Sequence, residues 1–488
     1  MGADLLNIGK SGLFAAKSSM STTSHNIANA NTEGYSRQEV RTKNSLTLPE
    51  GDYVLGTGVD IQSIRRYHDD LIEKKLNVST ANHKYNEERT LQLGHVEEIF
   101  NEVNSEGLNK ILNRFFNSFR ELSNQPENET VRNIVRENAK IVTGDFHRIT
   151  ENIDQVRASM NRKISLQIDD ANQLARTIAK LNKEIAVQEV GGGQANDLQD
   201  QRDNAVRTLS EFFTVSTYSD EQGRYVVNVE GLGSLVAGEV AQELRAGSAV
   251  KPGDNSADKG NVEIFFASRP STSITERIKS GSIGSLLKTR DEELVSLEKQ
   301  VDELAHGLVL ATNAVHRRGF ANYQVPTDAQ GNPVPNAAAR PVTGINFFKE
   351  PLDLKRAAEY IQLDDAIMED PNNIATALEA NKPGDNRIAL AISKLQHEKV
   401  LGEGSTTFEE QYLKSVGQVG LLSGKAKIDS EQSSGILAQA KSFKERLAGV
   451  SLDEEAANMV KYQNAYEASA KVIKASDEMF KAVLGIMN

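Results

Sequence analysis

The feature that most constrains this chain is a heptad at each end. Near the start, Leu6, Leu13, Met20 and Ile27 recur every seven residues, and the positions three further on, Gly9, Ala16 and Thr23, are small. Large and small residues at this period give a helix a narrow seam that a second helix can approach closely. Near the end, Leu452, Met459, Tyr466, Ile473, Phe480 and Met487 keep the same period. Neither stripe can bury itself alone. The two ends are therefore expected to be partners, within one molecule, between copies, or both. Ser451 with Glu454 three residues later reads as a capping box that starts the last helix, and Asp453, Glu454 and Glu455 suit its positive end.

The chain has 488 residues, for which about three domains is the expectation. Its net charge is −12, from 56 basic and 68 acidic residues, which argues against a nucleic-acid binder. There is no cysteine, so disulfides and thiolate metal sites are excluded. No tryptophan and few aromatics suggest thin cores in a helix-rich protein. No apolar run reaches the length of about 20 residues that spans a membrane. The start lacks the basic and apolar pattern of a cleaved signal. The protein is thus expected in the cytoplasm, or exported by a route that cleaves no signal.

Between the ends the period switches between helix and strand. Residues 3–29 read as helix, closed by the Asn-rich run from Asn26 to Tyr35. Residues 36–68 read as a short extended excursion or hairpin, and 69–104 and 107–123 as helices. A helix of about 60 residues, near 130–190, would span roughly 90 Å and must join a bundle or coiled coil. The run Asn196-Asp197-Leu198-Gln199-Asp200-Gln201-Arg202-Asp203 opens the next helix. From Phe212 a period of two marks a small β region over 213–272, including a loose loop over 247–261. Helix resumes at Ile283 and ends near Gly319. Residues 320–351 read as irregular, 359–363 as a strand, 364–399 as short helices and 407–447 as a long helix. That last helix carries glycines (Gly417, Gly420, Gly424, Gly435) that permit bends or close packing.

The run from Asn26 to Val40 resembles the signature of flagellar axial proteins, the rod, hook and hook-associated subunits. Asn26, Asn29, Asn31, Gly34 and Tyr35 carry that resemblance, and residues 455–488 resemble the same family's other end. Ser36-Arg37-Gln38, the Asn-Asp-Leu-x-Asp-Gln-Arg-Asp run at 196–203, and Asn313 with His316 and Gly319 are similar to the hook-associated branch. The resemblance implies a mostly α, elongated multi-domain protein with a smaller β part. Its parts would be a terminal coiled coil (1–60 with 448–488), a helical-bundle body (61–212 with 273–320 and 357–447), an inserted β domain (213–272) and an irregular excursion (321–356). It also implies a structural subunit secreted by flagellar type III export and placed outside the cell at the junction of hook and filament. The implied partners are other copies, hook protein, a second junction protein or flagellin, and an export chaperone at the C-terminal helix. No nucleic acid, membrane or cofactor is implied. The ten apolar heptad residues are the expected assembly interface.

The residues select no enzyme. None of the eight histidines makes His-Glu-x-x-His, and no Gly-x-Ser-x-Gly elbow occurs. Asp197, Asp200 and Asp203 share a helix face, as metal ligands would. The plainer reading is a face salt-bridged around Arg202 and Arg207. His316 reads as a helix-end histidine, with a ligand or base as the other reading. Three other functions stay open: a hook or distal-rod subunit, a cell-wall glycan hydrolase riding on an axial scaffold, and a self-contained coiled-coil scaffold.

Overall fold

A computed structural model describes residues 2–50, 53–100, 107–248, 260–324, 328–330, 342–351 and 353–487. Most of the loop expected over 247–261 and part of the excursion over 320–351 lie outside them. The chain forms two compact units. The first holds residues 1–86, 164–284 and 430–488; the second holds 87–163 and 285–429.

The first unit pairs the chain ends. Helix α1 (Gly2–Ala28) lies along the C-terminal helix, Leu452–Met487. The pair is antiparallel, since Gly9 meets Ile473, Gly12 meets Ser469 and Asn26 meets Glu455. Its seam is built from the small positions. Ala15, Ala16, Ser19, Thr22 and Thr23 are buried, and a Cβ at Gly9 would stand 2.7 Å from Ile473 Cγ1. Only glycine allows that approach.

After α1 come two antiparallel hairpins, one inside the other: β1 (Gln38–Asn44) pairs β4 (Val59–Arg66), and β2 (Thr47–Glu50) pairs β3 (Tyr53–Gly56). Helices α2 (Asp70–Phe100), α3 (Leu108–Asn124), α4 (Glu129–Glu189) and α5 (Asn196–Leu209) follow. The alternating region after Phe212 forms two antiparallel sheets. One holds β5 (Val215–Ser219), β6 (Tyr225–Val229), β7 (Gly233–Ala237) and β8 (Val240–Ala241) in sequence order. The other holds β9 (Leu244–Ser248), β10 (Val262–Phe266) and β11 (Arg269–Ser273), with β10 central. Val226, Val227, Leu235, Val236 and Ile264 are buried, as half-covered strands require.

The remaining helices are α6 (Gly281–Lys288), α7 (Leu294–His316), α8 (Ala357–Tyr360), α9 (Asp365–Glu369), α10 (Arg387–Lys394), α11 (Phe408–Ala448) and α12, the C-terminal helix already placed. A π-helical turn at Thr289–Glu293 joins α6 to α7. The core of the second unit is aromatic, not thin. On α3, Phe115, Phe116 and Phe119 meet Phe347, Phe348 and Phe408, with ring centroids 4.9–6.0 Å apart. One expectation fails: residues 359–363 are not a strand. Ala357–Tyr360 is helical, because the Asp302 carboxylate accepts the Arg356 and Ala358 amides at 2.8 and 3.0 Å and caps that turn. Only Leu363 makes an isolated bridge, to Phe348.

Polar residues at the end of α7 hold the irregular segment. Asn313 accepts the Phe347 and Phe348 amides at 2.9 and 3.0 Å and donates to the Phe348 carbonyl at 2.8 Å. His316 is fully buried; Nδ1 donates to the Ile345 carbonyl at 2.8 Å and Nε2 accepts the Ala375 amide at 2.9 Å. Both nitrogens are thus committed to backbone, and the ring is neutral. Burial lowers its pKa to about 4, from 6.5. Above the ordinary histidine value both the folded and the unfolded states are neutral at this position, so its contribution is complete. Between pH 6.5 and about 4 the unfolded chain binds a proton that the folded chain refuses, so stability falls. Amide exchange of Phe115–Phe119 should report this loss, at most about 3 kcal/mol. His316→Gln should flatten the slope; an unchanged slope contradicts the assignment.

Candidate functional site

Three sequence signatures that are far apart in the chain meet in the first unit. They are the close of α1, the opening of α5 and the start of α12. Asn26 is 1% exposed and uses its whole amide. Its Oδ1 accepts the Tyr35 hydroxyl at 2.7 Å and the Gln38 amide at 3.0 Å. Its Nδ2 donates to the Gln38 carbonyl at 2.9 Å and to Glu455 Oε2 at 3.1 Å. Two donors and two acceptors are the full capacity of an asparagine. One side chain therefore ends α1, fixes β1 and grips the first turn of α12.

Glu455 is equally buried, and Arg37 completes its shell. Arg37 Nε donates to Glu455 Oε1 at 2.7 Å and Nη1 to Glu454 at 2.8 Å. The Arg37 amide donates to the Ala448 carbonyl at 2.8 Å, tying β1 to the end of α11. Only half of the expected capping box forms. Ser451 Oγ accepts the Glu454 amide at 3.4 Å, while the Glu454 carboxylate turns to Arg37. The turn that brings Tyr35 back onto Asn26 passes through Gly34, whose φ of 83° is the left-handed region that glycine accepts without strain. Burial, then Asp197, Asp200 and Glu455, push the Tyr35 phenol well above its ordinary value, so it stays a donor.

The acidic face of α5 is a second part of this hub. Asp200 Oδ1 and Asp203 Oδ2 lie 2.6 and 2.7 Å from Arg66 Nη1 at the end of β4. Asp200 Oδ2 accepts the Ser36 amide at 2.9 Å, and Gln38 donates to Asp197 at 2.7 Å. Asn196 donates to the Ile64 carbonyl at 2.9 Å. Those carboxylates hold the β1–β4 hairpin onto α5. Arg66 is the main salt-bridging arginine of this face, and the expected Arg202 joins it more loosely, its Nε 3.9 Å from Asp203 Oδ1. Arg202 also stacks 3.6 Å over the Tyr225 ring, and Arg207 faces Glu73 instead. The other motif residues do less. Asn29 donates to the His25 carbonyl at 3.0 Å, and Asn31 lies exposed in the turn.

The large heptad residues lie outside this hub. Leu6 and Ile27 are 37% and 36% exposed, and Leu13 and Met20 are half-buried. On α12, Leu452, Tyr466 and Phe480 are 54%, 38% and 57% exposed; Met459 and Ile473 are half-buried. The side chain of Met487 lies outside the described residues. Phe14, which falls off the heptad, is 63% exposed. Its only sequence signal is its place beside Leu13. On α1 the small row thus faces inward and much of the large row faces out, whereas on α12 Ile473 of the large row packs on Gly9 and Leu452, Tyr466 and Phe480 stay exposed.

Known proteins are similar along the whole chain. Residues 93–332 match the family described as the flagellar hook-associated protein FlgK helical domain. Residues 6–35 match the flagella basal body rod protein family, and 447–486 the flagellar basal body rod FlgEFG protein C-terminal family. Flagellar hook-associated protein 1 of Bacillus subtilis is 27% identical, over 99% of this chain and 98% of its own length. Its counterpart in Escherichia coli is 23% identical, over 99% and 100%. The structure of the flagellar hook junction protein FlgK from Burkholderia pseudomallei superposes with a TM-score of 0.64 at 16% identity, covering 78% of this chain and all of that one.

Asn26→Ala would leave the buried Glu455 carboxylate one donor short and the Tyr35 hydroxyl without its acceptor on α1, at a cost of about 2–4 kcal/mol. Amide exchange at the first turns of α12 should then accelerate, while that of Phe115–Phe119 stays unchanged. Arg66→Leu would strand two buried carboxylates and cost about 3–5 kcal/mol at neutral pH. Part of that loss should return when Asp200→Asn and Asp203→Asn are added to the same chain. No recovery contradicts the ion-pair role.

Proposed function

We propose, from the chain's membership of the flagellar hook-associated protein 1 family, that it is a structural subunit joining hook to filament and assembling through its terminal helices. The observation that carries the assembly reading is the orientation of the α1–α12 pair. The small residues are spent on the contact inside the chain, and Leu6, Phe14, Leu452, Tyr466 and Phe480 are left facing water. A lone soluble protein gains nothing from that arrangement, whereas a packed array of copies covers it. The hub at Asn26 and Glu455 sets the register in which the pair is presented.

Several finer points belong to the same proposal. The neighbours are other copies, the hook protein, and a second junction protein or flagellin. An export chaperone binds the C-terminal helix before assembly. The protein acts outside the cell, reached by flagellar export, and no helix among the described residues is long and apolar enough to cross a membrane. It has no catalytic role: Asp200 and Asp203 are taken by Arg66, and both nitrogens of His316 by backbone. The hook-associated domain match over 93–332 favours the junction over a hook or rod position.

Phe14→Asp and Phe480→Asp should leave the monomer's circular dichroism and melting temperature unchanged and abolish its incorporation into flagella. Ile473→Asp should differ, because Ile473 lies against Gly9 and its loss also loosens the monomer's own pair. Normal incorporation of both phenylalanine variants would refute the reading.

A further inference from the structure

In the hub, the buried carboxylate of Glu455 is answered at both oxygens, by Arg37 and by Asn26. Glu293, in the second unit, is answered at one. It closes the π-helical turn before α7, and its Oε1 accepts Arg89 Nε at 3.1 Å and Nη2 at 2.6 Å. Its Oε2 is shut off from solvent and has no hydrogen-bond partner among the described residues. Gln300, seven residues on and so on the same side of the helix, repeats the pattern. Its Nε2 donates to Gln418 Oε1 at 3.1 Å, while its Oε1 is buried without a partner among the described residues. Each of these oxygens gives up the hydration it has in the unfolded chain and gains nothing from protein in return. Both residues line one cavity. Its walls are mainly apolar, with Leu93 from α2, Leu297 from α7, and Val419 and Leu422 from α11. The Ser415 hydroxyl, also in the wall, is committed to the Gln411 carbonyl at 3.0 Å. The cavity leaves about 10 Å³ for the centre of a water molecule, which is room for one.

We propose that this cavity is the binding site of a single ordered water, which donates one O–H to Glu293 Oε2 and the other to Gln300 Oε1. Three features choose the ligand. Both orphaned atoms are acceptors, so the ligand must bring two donors. The space admits one heavy atom. The ligand must also be neutral, because Arg89 already balances Glu293 and a bound cation would be an uncompensated charge among leucines. Water meets all three conditions, and two hydrogen bonds lie within the range that buried waters make. The water turns a gap in apolar packing into a polar fastening beside the Gln300–Gln418 contact, where α11 lies against α7. The inference stands apart from the assembly reading and does not depend on it.

The full chain, with its leucine and valine methyl groups isotopically labelled, serves for the test. A long-lived water in the cavity should give nuclear Overhauser cross-peaks between the water signal and the Leu297 and Val419 methyl groups. Xenon, which enters dry apolar cavities, should leave the shifts of those methyl groups unchanged. Val419→Ile adds one carbon to the cavity wall. It should displace the water, erase the Leu297 cross-peak and lower the melting temperature by a few degrees, because both acceptors are then stranded. Missing cross-peaks in the wild type, or methyl shifts that move under xenon pressure, overturn the site. So does a higher melting temperature in the variant, the mark of a dry void being filled. A Leu297 cross-peak that survives the substitution places the water elsewhere and overturns it as well.

Discussion

The buried carboxylate of Glu455 is the constraint on which the first unit depends. A carboxylate is costly to bury unless charge and hydrogen bonds surround it. Arg37 supplies the charge from just before β1, and Asn26 the neutral donor from the last turn of α1. Because Glu455 sits in the first turn of α12, satisfying it places the far end of the chain against the near end in one register. The close approach of Gly9 to Ile473 then follows as geometry, and with it the outward direction of Phe14 and Phe480.

The second unit solves a related problem in the same way. Its irregular segment cannot hold itself by ladder hydrogen bonds, so Asn313, His316 and Asp302 reach from α7 to its backbone amides and carbonyls. Arg132 does likewise from α4, donating to the Pro126 carbonyl at 3.0 Å and to Thr376 Oγ1 at 3.1 Å. Burial lowers the pKa of that guanidinium to about 10, because desolvation outweighs the charges near it. In both units, polar side chains on helices act as fasteners for segments of low intrinsic order. A chain with no cysteine must hold such segments by hydrogen bonds and packing alone.

Much of this was legible beforehand. The heptads located both terminal helices, and the Asn26–Tyr35 and Asn196–Asp203 runs marked the two halves of the hub. Period alone could not say which row turns inward. Large and small residues recur with the same spacing, and only the short distance between two backbones decides for the small ones. Nor could it find Arg66 as the closer partner of that acidic face, because its part depends on where the end of β4 lands. The 359–363 run looks like a strand by its alternation, yet a carboxylate 57 residues earlier caps Ala357–Tyr360 as a helical turn. Phe14 was hidden because the eye follows the heptad, and an outward residue obeys no core period.

The central claim is that the outward face of the terminal pair is open in a single copy and covered in the assembled structure. Maleimide labelling of Met479→Cys, beside Phe480 on α12 and 52% exposed, tests it most directly. The account requires fast labelling in the dilute monomer and strong protection in intact flagella containing the variant. Equal labelling rates in both states would show that the face is never buried, and would contradict it.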